Sequence, residues 1–93
     1  DLAKQGAQVI TTAGCQACHS INGVAAMIGK VGPNLTHVAS RAQIASGLLD
    51  FNAANVRAWI SNPPGVKPGS MMPKLPLTPD QIDALVAYLT TLK

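Results

Sequence analysis

The chain has 93 residues and a net charge of +3, carried by the scattered Lys4, Lys30, Arg41, Arg57, Lys67, Lys74 and Lys93. That length allows one small domain over residues 1–93 and no second core. The spread of charge and the scarcity of aromatics (one Phe, one Trp, one Tyr) exclude a nucleic-acid-binding face, and no run approaches the ~18 apolar residues of a membrane span.

Leu2, Gly6, Val9, Ile10 and Ala13 recur at helical spacing and predict a first helix over residues 2–14. It ends at Gly14 and delivers the chain to Cys15. A short helix is expected over residues 40–48. Asn52 can cap a third through Ala53, Val56, Trp59 and Ile60, which must stop near Asn62 because Pro63 and Pro64 follow. The last helix has the plainest signals: Thr78 as cap, Pro79 at the first helical position, Gln81 completing a capping box, and Ile82, Leu85, Val86 and Leu89 as one apolar stripe. No segment shows sustained strand alternation, so the expected class is all-α, with three to five helices. Residues 20–38 and 62–78 hold most of the Gly and Pro and read as long ordered loops, which in so small a domain tend to be functional.

The core poses a problem of supply. Its apolar residues are mainly Ala, Leu, Val and Ile, and a domain this short usually needs a disulfide, a metal or a cofactor to stabilise it. No signal peptide opens the chain, which reads as a mature form or an excised soluble domain.

The stretch "AGCQACHS" holds the only two cysteines, Cys15 and Cys18, followed by His19. A disulfide between them would close a very short loop and remove little unfolded-state entropy. A thioredoxin-like redox pair would need a preceding strand and a βαβ setting. Zinc would need two further ligands, and His37 is the sole remaining histidine. Cys-x-x-Cys-His fits best as an attachment site for c-type haem: two thiols add to the porphyrin vinyl groups, and the histidine ligates iron. A second ligand is available in "KPGSMMP", where Met71 or Met72 offers a soft thioether that favours ferrous iron. Such a porphyrin would also serve as the missing core.

Taken together, "CQACH", "GPNL" at Gly32 to Leu35, the Trp-bearing helix, "KPGSMMP" and "LVAYLTTLK" resemble class I cytochrome c over nearly the whole chain. More narrowly, "GPNLTHVASR", "VRAWISNPPGVKPGSMMP" and "ALVAYLTTLK" resemble the cytochrome c domain fused to subunit II of caa-type haem–copper oxidases. The resemblance implies one covalent haem c per chain, with thioethers at Cys15 and Cys18 and His19 as proximal ligand. It implies that the Pro33 carbonyl accepts the second ring N–H of His19, and that Arg41 and Trp59 lie near the haem propionates. The Pro-Gly-x-x-Met register selects Met72 as distal ligand, with Met71 as the alternative. Gly6 and Tyr88 would meet where the terminal helices cross, Met27 would pack, and His37 would tie a loop by a hydrogen bond.

The implied function is electron transfer, since both axial positions are filled and no site is left for substrate. The isolated domain would be an electron carrier rather than an enzyme, within the oxidoreductase complex cytochrome c oxidase. Its acceptor would be the dinuclear copper centre of the oxidase, and its donor a small soluble redox protein or a respiratory complex. The setting would be extracytoplasmic, on the periplasmic side, tethered to a membrane complex. A free soluble carrier and a haem sensor that binds small molecules are the other readings.

Overall fold

The computed structural model describes residues 1–45 and 47–93. The Asp1 carboxylate accepts the Lys4 N–H and starts α1, Leu2–Thr12. The helix stops two residues short of the expected end: the Ala13 N–H returns to the Val9 carbonyl, and Gly14 turns the chain at φ +100°, a left-handed conformation suited to glycine.

The second helix, α2, spans Ala53–Ser61, with the Asn52 side chain accepting the Asn55 N–H at 2.8 Å. It ends before Pro63 as expected, but the prolines then open a further turn, α3, Pro63–Val66, where irregular chain was expected. Proline has its φ preset for a first helical turn, and the Asn62 side chain accepts the Gly65 N–H. The last helix, α4, Pro79–Thr90, begins with the full capping box: Thr78 Oγ1 accepts from Gln81 N, and Gln81 Oε1 accepts from Thr78 N.

The helix expected over residues 40–48 does not form. A 3₁₀ turn at Val38–Ser40 leads instead into an antiparallel ribbon of β1, Gln43–Ile44, and β2, Leu49–Asp50, with Gln43 opposite Asp50 and Ile44 opposite Leu49. Ala45 at φ +54° and Gly47 at φ +87° take left-handed conformations that a right-handed helix cannot use. Two-residue strands are too short to show alternation in sequence. Ser46, inside that expected helix, lies outside the described residues.

The all-α class holds, with this ribbon as its one addition among the described residues. Helices α1 and α4 cross at Gly6, where a Cβ would overlap the Ala84 carbonyl oxygen and lie 2.6 Å from Tyr88 Cβ. Ile10, Met27, Val56, Ile60, Leu85 and Leu89 form the heart of the buried cluster. The loop over residues 20–38 is fastened by backbone bonds from Ile21 N to Met27 O, Gly29 N to His19 O and Leu35 N to Ser20 O. Among the described residues no helix is long and apolar enough to cross a membrane.

Candidate cofactor site

After Gly14 the chain winds through a 3₁₀ turn, Cys15–Ala17, and the N–H groups of Cys18 and His19 both return to the Cys15 carbonyl, at 3.2 and 2.9 Å. This winding brings both thiols and the imidazole to one end of α1. Both cysteines are free and half-buried. Burial pushes the Cys15 thiol pKa up, a backbone hydrogen bond opposes that, and the neighbouring Cys18 adds to it. Burial thus keeps the Cys15 thiol protonated, and the two cysteines are not joined by a disulfide.

His19 is buried, and its Nδ1 lies 2.8 Å from the Pro33 carbonyl oxygen. A carbonyl only accepts, so Nδ1 carries the proton and Nε2 keeps its lone pair. Behind the ring stands Gly32, whose N–H bonds the Cys18 carbonyl at 2.6 Å; a Cβ there would come within 2.5 Å of His19 Cε1 and 2.8 Å of Nδ1. Gly29 backs the same strand of chain, since its Cβ would meet the Cys18 N and C atoms at 2.6 Å. Both glycines are therefore demanded by close approach.

In front of His19 opens a cavity of about 520 Å³. Cys15, His19, Pro33, Arg41, Trp59, Met71 and Met72 all line it, so the structure brings together residues 57 positions apart in sequence between Cys15 and Met72. Cys18 lines an adjoining cavity of about 80 Å³ shared with Cys15, His19 and both methionines. The remaining walls come from α1, α2, α4 and the ribbon, through Ile10, Val56, Leu85 and Ile44 among others. A volume of this order lies within the range of about 300–1,000 Å³ usual for small-molecule and cofactor sites.

The distal loop presents its two methionines differently. Met72 is half-buried, whereas Met71 is 85% exposed. Gly69 at φ +84° and the bond from Ser70 N to Lys67 O form the turn before them. Ser70 Oγ accepts the Met72 N–H at 3.1 Å and reaches the Met72 carbonyl at 3.4 Å, holding that residue's backbone from both sides. Ser70 is a residue that sequence reasoning missed; its only trace is a hydroxyl two positions before a methionine, the spacing of a side-chain-to-backbone turn.

Other expectations concern the rim. Arg41 lines the cavity while its guanidinium donates to the Asn34 carbonyl at 2.7 Å. His37 stands away from the cavity lining, and its ring Nδ1 donates to the Lys93 carbonyl at 2.8 Å, which ties the loop to the end of the chain. Met27 is 1% exposed and packs in the core. Among the described residues there is no group of three or more His, Cys, Asp and Glu placed to hold a metal ion.

The fold and this site define a small helical domain wrapped around one largely apolar cavity, and comparison with known proteins specifies its class. The Cytochrome c family profile matches residues 3–93, and the chain belongs to the cytochrome c family. That membership supports electron transfer by a c-type haem. Relatives named cytochrome c oxidase subunit 2 match the whole chain. The one from Alkalihalophilus pseudofirmus is 39% identical, over 99% of this chain and 26% of its own length. Those from Bacillus subtilis and Bacillus sp. strain PS3 are each 36% identical, over 27% and 26% of their own lengths. The chain thus spans about a quarter of the length of these relatives. Among solved structures, the c-type cytochrome SorU from Sinorhizobium meliloti superposes with a TM-score of 0.67, covering 99% of this chain and 91% of that one. At 23% identity this likeness shows the shared fold.

Proposed function

We propose that this chain is a His/Met-ligated, covalently haem-bearing electron-transfer domain, serving as the cytochrome c domain of a caa-type oxidase subunit II. The observation that carries the reading is the convergence of the Cys15 thiol, the His19 imidazole and the Met72 region on one apolar cavity, with His19 Nδ1 already committed to Pro33. The donor set fits haem c: two reduced thiols at the rim, a neutral imidazole with a free lone pair on Nε2, and a soft thioether across the cavity. When bound, haem c supplies one-electron exchange at iron.

The chain's own residues do the rest. Cys15 and Cys18 would anchor the group, and His19 would hold its iron through Nε2 with the ring oriented by the Pro33 carbonyl. Met72 would hold the iron through its thioether, a donor that favours the ferrous state. Arg41 and Trp59 would offer N–H donors to the group's carboxylates, and Ile10, Val56, Leu85 and Ile44 would exclude water from it. The domain accepts one electron from a small soluble redox protein or respiratory complex and passes it to the dinuclear copper centre of the oxidase. It works on the periplasmic, extracytoplasmic side as part of a membrane-tethered complex. The isolated domain is a carrier, and the oxidoreductase activity belongs to the complex.

An optical spectrum of protein matured with haem tests this directly. Sharp reduced α and β bands, with a far-red sulfur-to-iron band in the oxidised form, are expected. A haem that is extracted by acidic solvent would contradict covalent attachment, and a missing far-red band would contradict methionine ligation.

A further inference from the structure

Behind the Pro33 carbonyl that receives His19 Nδ1 lies a closed ring of hydrogen bonds that has no contact with the cavity. Asn34 Oδ1 accepts both the Thr36 N–H, at 2.9 Å, and the Thr36 hydroxyl, at 2.5 Å. Asn34 Nδ2 donates to Asn22 Oδ1 at 3.2 Å. The Asn22 N–H donates back to Thr36 Oγ1 at 2.8 Å, closing the ring. The Asn34 carbonyl is held separately by the Arg41 guanidinium at 2.7 Å, and the Leu35 N–H is bound to the Ser20 carbonyl.

The consequence for His19 is geometric. The Pro33 carbonyl belongs to the peptide unit that ends at the Asn34 nitrogen, so it can swing only if Asn34 moves. That peptide plane tilts through Pro33 ψ and Asn34 φ together, and proline restricts only its own φ, so the hold on the carbonyl has to come from Asn34. Asn34 is gripped at its side chain by Thr36 and Asn22, and at its carbonyl by Arg41. Asn22, Asn34 and Thr36 bond one another, and Arg41 bonds the Asn34 carbonyl, in a stretch of loop that lacks regular secondary structure at Asn22 and Asn34 to Thr36.

We propose that Asn34 is a positioning residue which, held by Thr36, Asn22 and Arg41, locks the Pro33 carbonyl onto His19 and thereby sets the reduction potential of the site. The proposal rests on the reading of His19 as iron ligand. A strong bond from Nδ1–H to a fixed carbonyl increases the basicity of Nε2, which favours the ferric state. Loosening the ring lets the carbonyl drift, weakens that bond and raises the potential.

The test uses the haem-loaded protein with Asn34→Ala, Thr36→Val and Thr36→Ser, at positions that do not line the cavity. Two quantities are read: hydrogen exchange of His19 Nδ1–H by NMR in the ferrous state, and the midpoint potential by spectroelectrochemistry. Asn34→Ala is expected to exchange about tenfold faster, the effect of losing roughly one net hydrogen bond, and to titrate at higher potential. Thr36→Val should move both quantities the same way by less, and Thr36→Ser, which keeps the hydroxyl, should stay near the parent. The far-red band should persist throughout. An Asn34→Ala protein that melts lower yet keeps its exchange rate and potential would reduce the ring to a loop staple and overturn the proposal. If Asn34→Ala fails to mature, equal exchange rates and potentials in Thr36→Val and Thr36→Ser overturn it instead. Parent protein whose His19 ring protons lack the large upfield shifts of an iron-bound imidazole would defeat the ligation reading, a result distinct from either of these.

Discussion

The two loops that face each other across the cavity are held in opposite ways. On the proximal side, residues 15–38 bury His19 to 9% exposure, back it with Gly29 and Gly32, and fasten its partner carbonyl with a ring of side chains. The distal loop over residues 67–77 holds Met72 by a turn and a single hydroxyl, with the largely exposed Met71 one residue away at the cavity rim. On the proposed ligation, one ligand would be built in and the other presented: a histidine next to its own attachment cysteines would stay with the haem, which suits rigid support there, whereas Met72 would rest on a lighter grip.

The comparison can be broken most severely at the anchor. Cys15→Ala leaves one attachment thiol, and a cofactor bound at 100 times its Kd contributes about 2.7 kcal/mol to stability, so a loss of at least ~2–3 kcal/mol is expected. Thermal melting measures this together with the reduced α band, which should move to longer wavelength because one vinyl group stays unreacted; an α band left in place would refute the attachment at Cys15. Next comes Met72→Ala, which should abolish the far-red band and lower the potential. Each tenfold loss of ferrous preference reads as about 59 mV, and a redox titration should find one to three such factors. Gly32→Ala tests the proximal side without replacing a proposed ligand. A methyl group there overlaps the His19 ring, so melting should fall by about 1–3 kcal/mol and the His19 ring resonances should shift.

These two loops also mark where sequence was and was not informative. Cys15, Cys18 and His19 stood out in the sequence because c-type haem attachment calls for fixed residue types at fixed spacing, and the structure places all three at the adjoining cavities. Helix α4 was legible because Thr78, Pro79 and Gln81 each satisfy a local rule that does not depend on distant chain. The ribbon at residues 43–50 was not, since its pairing is only two residues per strand and its turn relies on a left-handed Ala45, which no sequence preference announces. No sequence rule set Gly32 apart from the other loop glycines, although the structure needs it for the His19 ring 13 positions away. The hydrogen-bond ring through Asn22, Asn34 and Thr36 was equally invisible, because it depends on the loop being folded back on itself. Local chemistry could be read from the chain, and support from across the fold could not.

A milder break concerns the grip on the distal ligand. Ser70→Ala removes the hydroxyl that accepts the Met72 N–H, one net hydrogen bond of about 0.5–1.5 kcal/mol. The expected signature is a weaker far-red band with the haem still attached. A band of unchanged intensity would show that the turn at Gly69 alone suffices to place Met72.

The smallest effect is expected at Met71, and it is the one that sharpens the comparison most. Met71 and Met72 are adjacent, share the cavity rim and carry the same sulfur, so composition cannot decide between them. Exposure and restraint do. Met71 is 85% exposed and has no side-chain restraint of the kind Ser70 gives its neighbour, whereas Met72 is half-buried with its backbone bonded on both sides. Ordering a solvated, flexible side chain at iron would cost rotamer entropy that the turned-in residue has already lost. Met71→Ala should therefore leave the far-red band and potential in place and change stability by no more than about 0.5 kcal/mol. If instead Met71→Ala removed the band and Met72→Ala spared it, the ligand would be the exposed methionine, and the distal loop would have to rearrange when haem binds.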